Sequence, residues 1–162
     1  MWDLDETLLP SQHLRDARHR SDPCELTRLP DFAGTALHAG VAEALLGTPE
    51  VRTGLVTSSP RWYVDQILDC FLPEVRFDVL VTYEDVAGNI KPDPEPLLVG
   101  LNRLGHDPSS AVYIGDDLVD HQACESAKVR FLGAGWAETP TYPSNSEVLT
   151  HPLDILMILG SP

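Results

Sequence analysis

The chain opens Met1-Trp2-Asp3-Leu4-Asp5-Glu6-Thr7-Leu8-Leu9-Pro10, an apolar start that runs straight into carboxylates and stops at a proline. That is the pattern of a strand end followed by a turn. Working outward, residues 8–34 show no hydrophobic period and carry Pro10, Pro23 and Pro30, so an irregular excursion is expected, with one short helix over 13–20. From Thr35 the spacing turns helical. Leu37, Val41, Ala44 and Leu45 share a face, Thr35 is the expected N-cap and Gly47 the stop.

The same alternation continues along the chain. Gly54-Leu55-Val56 reads as a short buried strand ending in the hydroxyl cluster Thr57-Ser58-Ser59, and Pro60 suits the first turn of a helix carrying Trp62, Val64, Ile67 and Leu68. Residues 77–81 read as a strand. Leu97, Leu98, Leu101 and Leu104 follow helical spacing up to Gly105, and 111–114 is a further apolar strand running into Gly115-Asp116-Asp117. A helix over 119–127, a strand over 129–132, a Pro/Ser-rich loop over 139–152 and a short helix over 153–159 complete the pattern. Strands alternating with helices predict an α/β fold: one mostly parallel sheet covered on both faces, with right-handed crossovers. Ligands of such sheets bind beyond the carboxyl ends of the strands.

That edge gathers the reactive residues: Asp3 and Asp5 after the first strand, Thr57 and Ser58 after the second, Asp116 after the late one, and Lys91 in the loop before a helix. Two carboxylates at i and i+2 can divide phosphoryl transfer, Asp3 attacking phosphorus and Asp5 exchanging a proton with the leaving oxygen. A charged turn capping a helix would use the same residues. Thr57 or Ser58 can donate to a phosphoryl oxygen, whereas Ser59 is better read as a helix N-cap. Lys91 is a point charge for the transferring phosphoryl and for the mutually repelling acids. Hard carboxylate oxygens favour Mg2+, with Asp116 a direct ligand, Asp120 an outer or water-mediated one and Asp117 a helix-start residue.

Composition bounds the function. At 162 residues, with 43% of them apolar, the chain fits one domain, 1–162, with a single core. A formal charge of −14 lacks the basic footprint of a nucleic-acid binder, so no nucleic acid partner is expected. No apolar run is long enough for a membrane span and no signal sequence opens the chain, which makes the cytoplasm the expected compartment. Cys24, Cys70 and Cys124 are odd in number and lack metal-ligand spacing, so reduced thiols are expected.

In this order the motifs resemble the haloacid-dehalogenase-like hydrolase superfamily: Asp-x-Asp-x-Thr at Asp3, Asp5 and Thr7, a Thr/Ser strand end at Thr57, then Lys91, then Gly-Asp-x-x-x-Asp from Gly115 to Asp120. The stretches Val81-Thr82-Tyr83, Ile90-Lys91-Pro92-Asp93-Pro94 and Gly115-Asp116 look most like the phosphoglycolate-phosphatase-type branch, although Asp-Leu-Asp-Glu-Thr-Leu is also similar to the start of phosphatases acting on polymerase tails. The resemblance implies a Rossmann-like three-layer sandwich, magnesium, a covalent aspartyl-phosphate on Asp3 and a main-chain metal ligand at Asp5. It gives Asp3, Asp5, Thr57, Lys91 and Asp116 the roles read above, so that Asp3, Asp5, Thr57 and Lys91 are expected in catalysis; with the residue reading of Ser58 and Asp120 added, Thr57, Ser58 and Lys91 are expected at the substrate and Asp3, Asp5, Asp116 and Asp120 at the metal.

The chain departs from that family in three places. Members carry a longer apolar run before the first Asp, so an upstream start or an N-terminal truncation is expected. Only residues 8–34 are available where branch members insert a helical cap, so a short flap and an open site are expected. Such a site suits a phosphoprotein, or a phosphorylated small molecule enclosed by a homo-oligomer. The flap's Arg15, Arg18, Arg20 and Arg28 balance Asp16, Asp22, Glu25 and Asp31 and are placed to meet a second anionic group or to serve as solvated surface. Ser58 stands where many relatives have Asn. A phospho-receiver would use similar residues, but its nucleophile follows the third strand, whereas the acid pair here opens the chain. A catalytically weak domain that binds a phospho-ligand or protein partner is the remaining alternative.

Overall fold

A computed structural model describes residues 1–18 and 34–160. The strands are β1 (Gly54–Val56), β2 (Val79–Val81), β3 (Val112–Gly115), β4 (Arg130–Ala134) and β5 (Val148–Leu149). β1 pairs with β2, and β4 lies between β3 and β5, all in parallel. What joins these two groups is the start of the chain. Trp2 bridges Leu55 on one side and Ile114 on the other, both in parallel. Its amide donates to Gly54 O at 2.9 Å, Val56 N donates to Trp2 O at 2.9 Å, and Asp3 N donates to Ile114 O at 2.8 Å. Residues 1–3 are thus the central strand of one parallel sheet, ordered β2, β1, residues 1–3, β3, β4, β5.

The helices are α1 (Arg15–Arg18), α2 (Val41–Leu46), α3 (Arg61–Phe71), α4 (Glu95–Leu104), α5 (Leu118–Ala127) and α6 (Asp154–Ile158). Period-2 alternation along the strands assigns them to layers. Trp2, Leu55, Ile114 and Leu132 pack with Val41 and Leu45 of α2, Tyr63 and Ile67 of α3 and Ile155 of α6. Met1, Val56 and Tyr113 pack on the other face with Leu97, Leu101 and Leu104 of α4 and Ala123 and Cys124 of α5. The result is the expected three-layer α/β sandwich. At the foot of residues 1–3 a cavity of about 370 Å³ opens between Arg52 and Val112, walled by Leu104 on one face and Ile155 on the other.

Several expectations shift. The helix expected from Thr35 begins at Val41, because Gly40 has φ 89°, outside the helical region, and Thr35 Oγ1 meets His13 Nε2 at 2.7 Å instead of capping. Gly47 does end it. The Pro/Ser-rich loop contains β5, and β4 runs two residues past the expected Leu132. α4 closes at Gly105 in the left-handed conformation, as its glycine predicts. Of the expected flap, 12–14 form a 3-10 turn leading into α1. His19, Arg20, Asp22, Cys24, Glu25, Arg28 and Asp31 lie outside the described residues. Among the described residues no helix is long and apolar enough to cross a membrane.

Candidate active site

The carboxyl edge of the sheet places each reactive group. Asp3 leaves the central strand directly, and the chain then turns back tightly: Leu8 N donates to Leu4 O at 2.9 Å and Glu6 N to Leu9 O at 2.9 Å, with Glu6 at φ 61°. This turn brings Thr7 under the late strand end, where its hydroxyl donates to Asp116 Oδ1 at 2.8 Å. Trp136 holds the turn from the other side, its indole N–H donating to Thr7 O at 2.8 Å. Asp117 caps α5 in a capping box with Asp120, the helix-start role expected of it.

Lys91 is the hub. Its Nζ donates to Asp3 Oδ1 at 2.6 Å, to Asp120 Oδ1 at 2.6 Å and to the Tyr113 hydroxyl at 2.8 Å, and it is buried. All three ammonium donors are used. Tyr113 passes its own proton to Val56 O at 2.8 Å, so the lysine is anchored through the tyrosine to β1.

The electrostatics follow from burial. Asp3 is pushed well above the ordinary carboxylate range by loss of solvent; Lys91 opposes the shift, and Asp120, Asp116 and Asp5 add to it. Asp116 rises to about 7, again mainly through burial and then through Asp120, with the Thr7 hydrogen bond and Lys91 acting against the shift. Burial lowers the Lys91 ammonium, but Asp120 and Asp3 outweigh it and the net shift is upward. Asp3, Asp116 and Asp120 each offer a ligand oxygen within 4.8 Å of the others. With all three ionised, as a bound cation requires, three carboxylates against one ammonium leave two negative charges, the complement of one divalent ion, and the all-oxygen donor set suits magnesium.

Thr57 is buried at the end of β1. Its amide completes the sheet through Val81 O at 2.9 Å, and its Oγ1 accepts from Ser59 N at 3.1 Å, which leaves the hydroxyl proton available to a ligand. Ser58 lines the same cavity, of about 260 Å³, as Asp3, Asp5, Lys91 and Asp116. All the expected site residues therefore converge except in one respect: the Asp5 carboxylate is turned away from the acid triad. It accepts from Ser11 Oγ at 2.7 Å, Ser59 Oγ at 2.6 Å and the Tyr63 hydroxyl at 2.9 Å, and pairs with Arg18. Ser59 is thus no helix cap; that position falls to Pro60.

Sequence reasoning assigns no role to Thr7, Ser11, Tyr63 or Tyr113. Thr7 had a signal, as the last position of Asp-x-Asp-x-Thr. The two tyrosines sit at apolar positions of a helix and a strand and look like core.

The model of the haloacid dehalogenase-like hydrolase family matches residues 31–134, more than half of the chain. The chain belongs to this family. Similar proteins include the pyrophosphatase PpaX of Bacillus velezensis, 36% identical over 111 residues that are 66% of this chain and 51% of that protein. The phosphoglycolate phosphatase of Salmonella typhimurium is 38% identical over 102 residues, 62% of this chain and 40% of that one. The chain thus spans about half the length, or less, of these curated relatives. Among solved structures, a candidate phosphoglycolate phosphatase from Lactobacillus plantarum superposes with a TM-score of 0.78 at 25% identity, over 98% of this chain and 97% of that one. That superposition extends over nearly the whole chain, whereas the family match begins at residue 31.

Proposed function

We propose that the chain is a phosphatase that hydrolyses the phosphate monoester of a small molecule, with Asp3 as nucleophile. The observation that carries this reading is the Asp3 carboxylate, held by Lys91 beside Asp116 and Asp120 on the floor of an open cavity. The Asp3 oxygen attacks phosphorus and the ester oxygen departs, taking a proton from Asp5. Water then attacks the aspartyl-phosphate and gives its proton to Asp5, which restores Asp3 and releases inorganic phosphate. Lys91 and the Thr57 hydroxyl hold the phosphoryl oxygens. Asp3, Asp116 and Asp120 would hold magnesium, with the Asp5 main-chain carbonyl as the ligand the family implies. The ion would offset the charge of three acids and the phosphoryl group together.

The relatives support the substrate class, since pyrophosphate and phosphoglycolate are both small phosphorylated compounds. Release of inorganic phosphate is the test, measured with magnesium and with chelator across phosphorylated metabolites and phosphopeptides. Asp3→Asn should fall at least about a thousandfold while keeping its circular dichroism. Full activity in that variant ends the proposal. Magnesium-dependent phosphate binding without turnover would instead make the chain a binding domain.

A further inference from the structure

The Pro/Ser-rich loop between β4 and β5 is seated beside the acid cluster. β3 and β4 pair Gly115 with Gly133, and both glycines leave room on the face that carries α5. At Gly115 the room is taken by Asp120; at Gly133 it is taken by the Tyr142 ring, whose atoms lie 2.6 to 2.9 Å from where a Cβ would stand. Tyr142 also meets the Phe131 ring at 5.7 Å between centroids, and Phe131 meets His121 of α5 at 5.3 Å. A bare glycine and an aromatic contact thus fix one point of an otherwise irregular loop.

That point sets the preceding residue over the start of α5. Thr141 is exposed, yet three hydrogen bonds tie it down. Its amide donates to Asp116 O at 2.9 Å, its hydroxyl donates to Asp117 Oδ1 at 2.8 Å, and its Oγ1 accepts from Leu118 N at 2.9 Å. Leu118 N is one of the orphan donors of the helix, and Asp117 Oδ1 is the acceptor that caps Val119 N at 3.3 Å. Thr141 therefore holds the first three residues of the segment 116–120, whose end residues are two of the three acids with oxygens within 4.8 Å of one another. A threonine that only capped α5 would bond Leu118 N and stop there. The bonds to Asp116 O and Asp117 Oδ1 act ahead of the helix, where the direction of the Asp116 side chain is set.

We propose that Thr141 is a positioning residue for the magnesium site: the loop after β4 is a clasp that fixes the turn between Asp116 and Asp120, and with it the spacing at which both carboxylates meet one ion. This rests on the reading of Asp3, Asp116 and Asp120 as the metal-holding acids and adds to it a residue that touches none of their carboxylates. Acids that repel one another move apart unless their backbone is held, so the clasp acts before the cation arrives. What it supplies is preorganisation, freedom that the turn need not give up when the ion binds. The hydroxyl can be removed cleanly. Valine keeps the shape of threonine without its donor and acceptor and leaves the amide bond to Asp116 O in place, whereas serine keeps the hydroxyl.

Magnesium alone is the probe, titrated calorimetrically into the chelator-treated chain at about pH 8. Thr141→Val should bind it about tenfold more weakly than the wild type, and Thr141→Ser within about twofold of it. The melting temperature in chelator is followed for each variant. A threonine that serves the fold alone would lower that temperature and leave the affinity untouched, which overturns the inference; equal losses of affinity in Thr141→Val and Thr141→Ser overturn it too. Should Thr141→Val fail to fold, Tyr142→Leu decides, since it keeps the threonine but loosens its seat on Gly133: weaker magnesium binding is expected, and native affinity overturns the inference. Phosphate release by the wild type separates the two levels. Turnover together with an affinity indifferent to Thr141 removes the inference and leaves the phosphatase reading standing, whereas a wild-type chain that takes up no magnesium removes both the inference and the metal site it rests on.

Discussion

Lys91 shows how one side chain can hold a site together before any ligand arrives. Its ammonium neutralises part of a cluster that burial has already made costly, and removing it would leave Asp3 and Asp120 facing each other without a cation. Lys91→Met should therefore abolish turnover and destabilise the fold by about 3 kcal/mol or more in chelator, measured by urea unfolding. Unchanged stability would mean that the pairing carries no weight. At this scale the sequence was informative where a charge follows an apolar strand. Asp3 and Asp116 could be read as a site because each ends an apolar strand, and Lys91 because a lysine between them in the chain completes the motif order. Ser59 and Tyr63 could not, because their common partner Asp5 lies more than fifty residues away, and a hydroxyl at a strand end or a tyrosine in an amphipathic helix has a simpler local explanation.

The loop from β3 into α5 concentrates the demands made on a single element. Gly115 sits so close to Asp120 that an added Cβ would come within 2.5 to 2.8 Å of that side chain. Gly115→Ala should push Asp120 off Lys91 and out of the acid cluster. The expected result is a loss of magnesium affinity of about tenfold or more by calorimetric titration, with the helix content retained. Native affinity would show that Asp120 is dispensable to the metal. Helices such as α4 and α5 were legible because a cap at one end and a glycine or strand at the other agree with an apolar stripe. β5 was not, since its two residues, Val148 and Leu149, make too short a run to show alternation. The start of α2 was misplaced because Gly40 interrupts a spacing that continues on both sides of it.

For the molecule as a whole, the acid cluster ties stability to pH and, on the proposed reading, to magnesium. Asp116 titrates at about 7 in the fold against 3.8 as a free side chain, so between those values the native state holds a proton that the unfolded chain has given up. The stability from this proton is present at low pH and is lost as pH rises through 7 in the absence of metal. Magnesium must displace the same proton. Its effect on the melting temperature should therefore be small at about pH 5.5 and large at about pH 8. A gain independent of pH would count against Asp116 as a ligand. The three-layer plan was legible in the alternation of strands and helices, but the way its halves join was not, because residues 1–3 are too few to reveal their neighbours.

That join has a mechanical consequence. β1 with β2 and β3 with β4 and β5 meet only through residues 1–3 among the described strands, and the cavity at the foot of those residues leaves the seam unsupported on one end. Asp3, the proposed nucleophile, is the last residue of the zip. Partial parting of the two leaves would displace Asp3 before either leaf loses its helices, so activity should vanish at lower denaturant than far-ultraviolet ellipticity, and the amide protons of Asp3 and Val56 should exchange ahead of that of Leu132. Coincident loss of all these signals would mean that the leaves and the seam open as one.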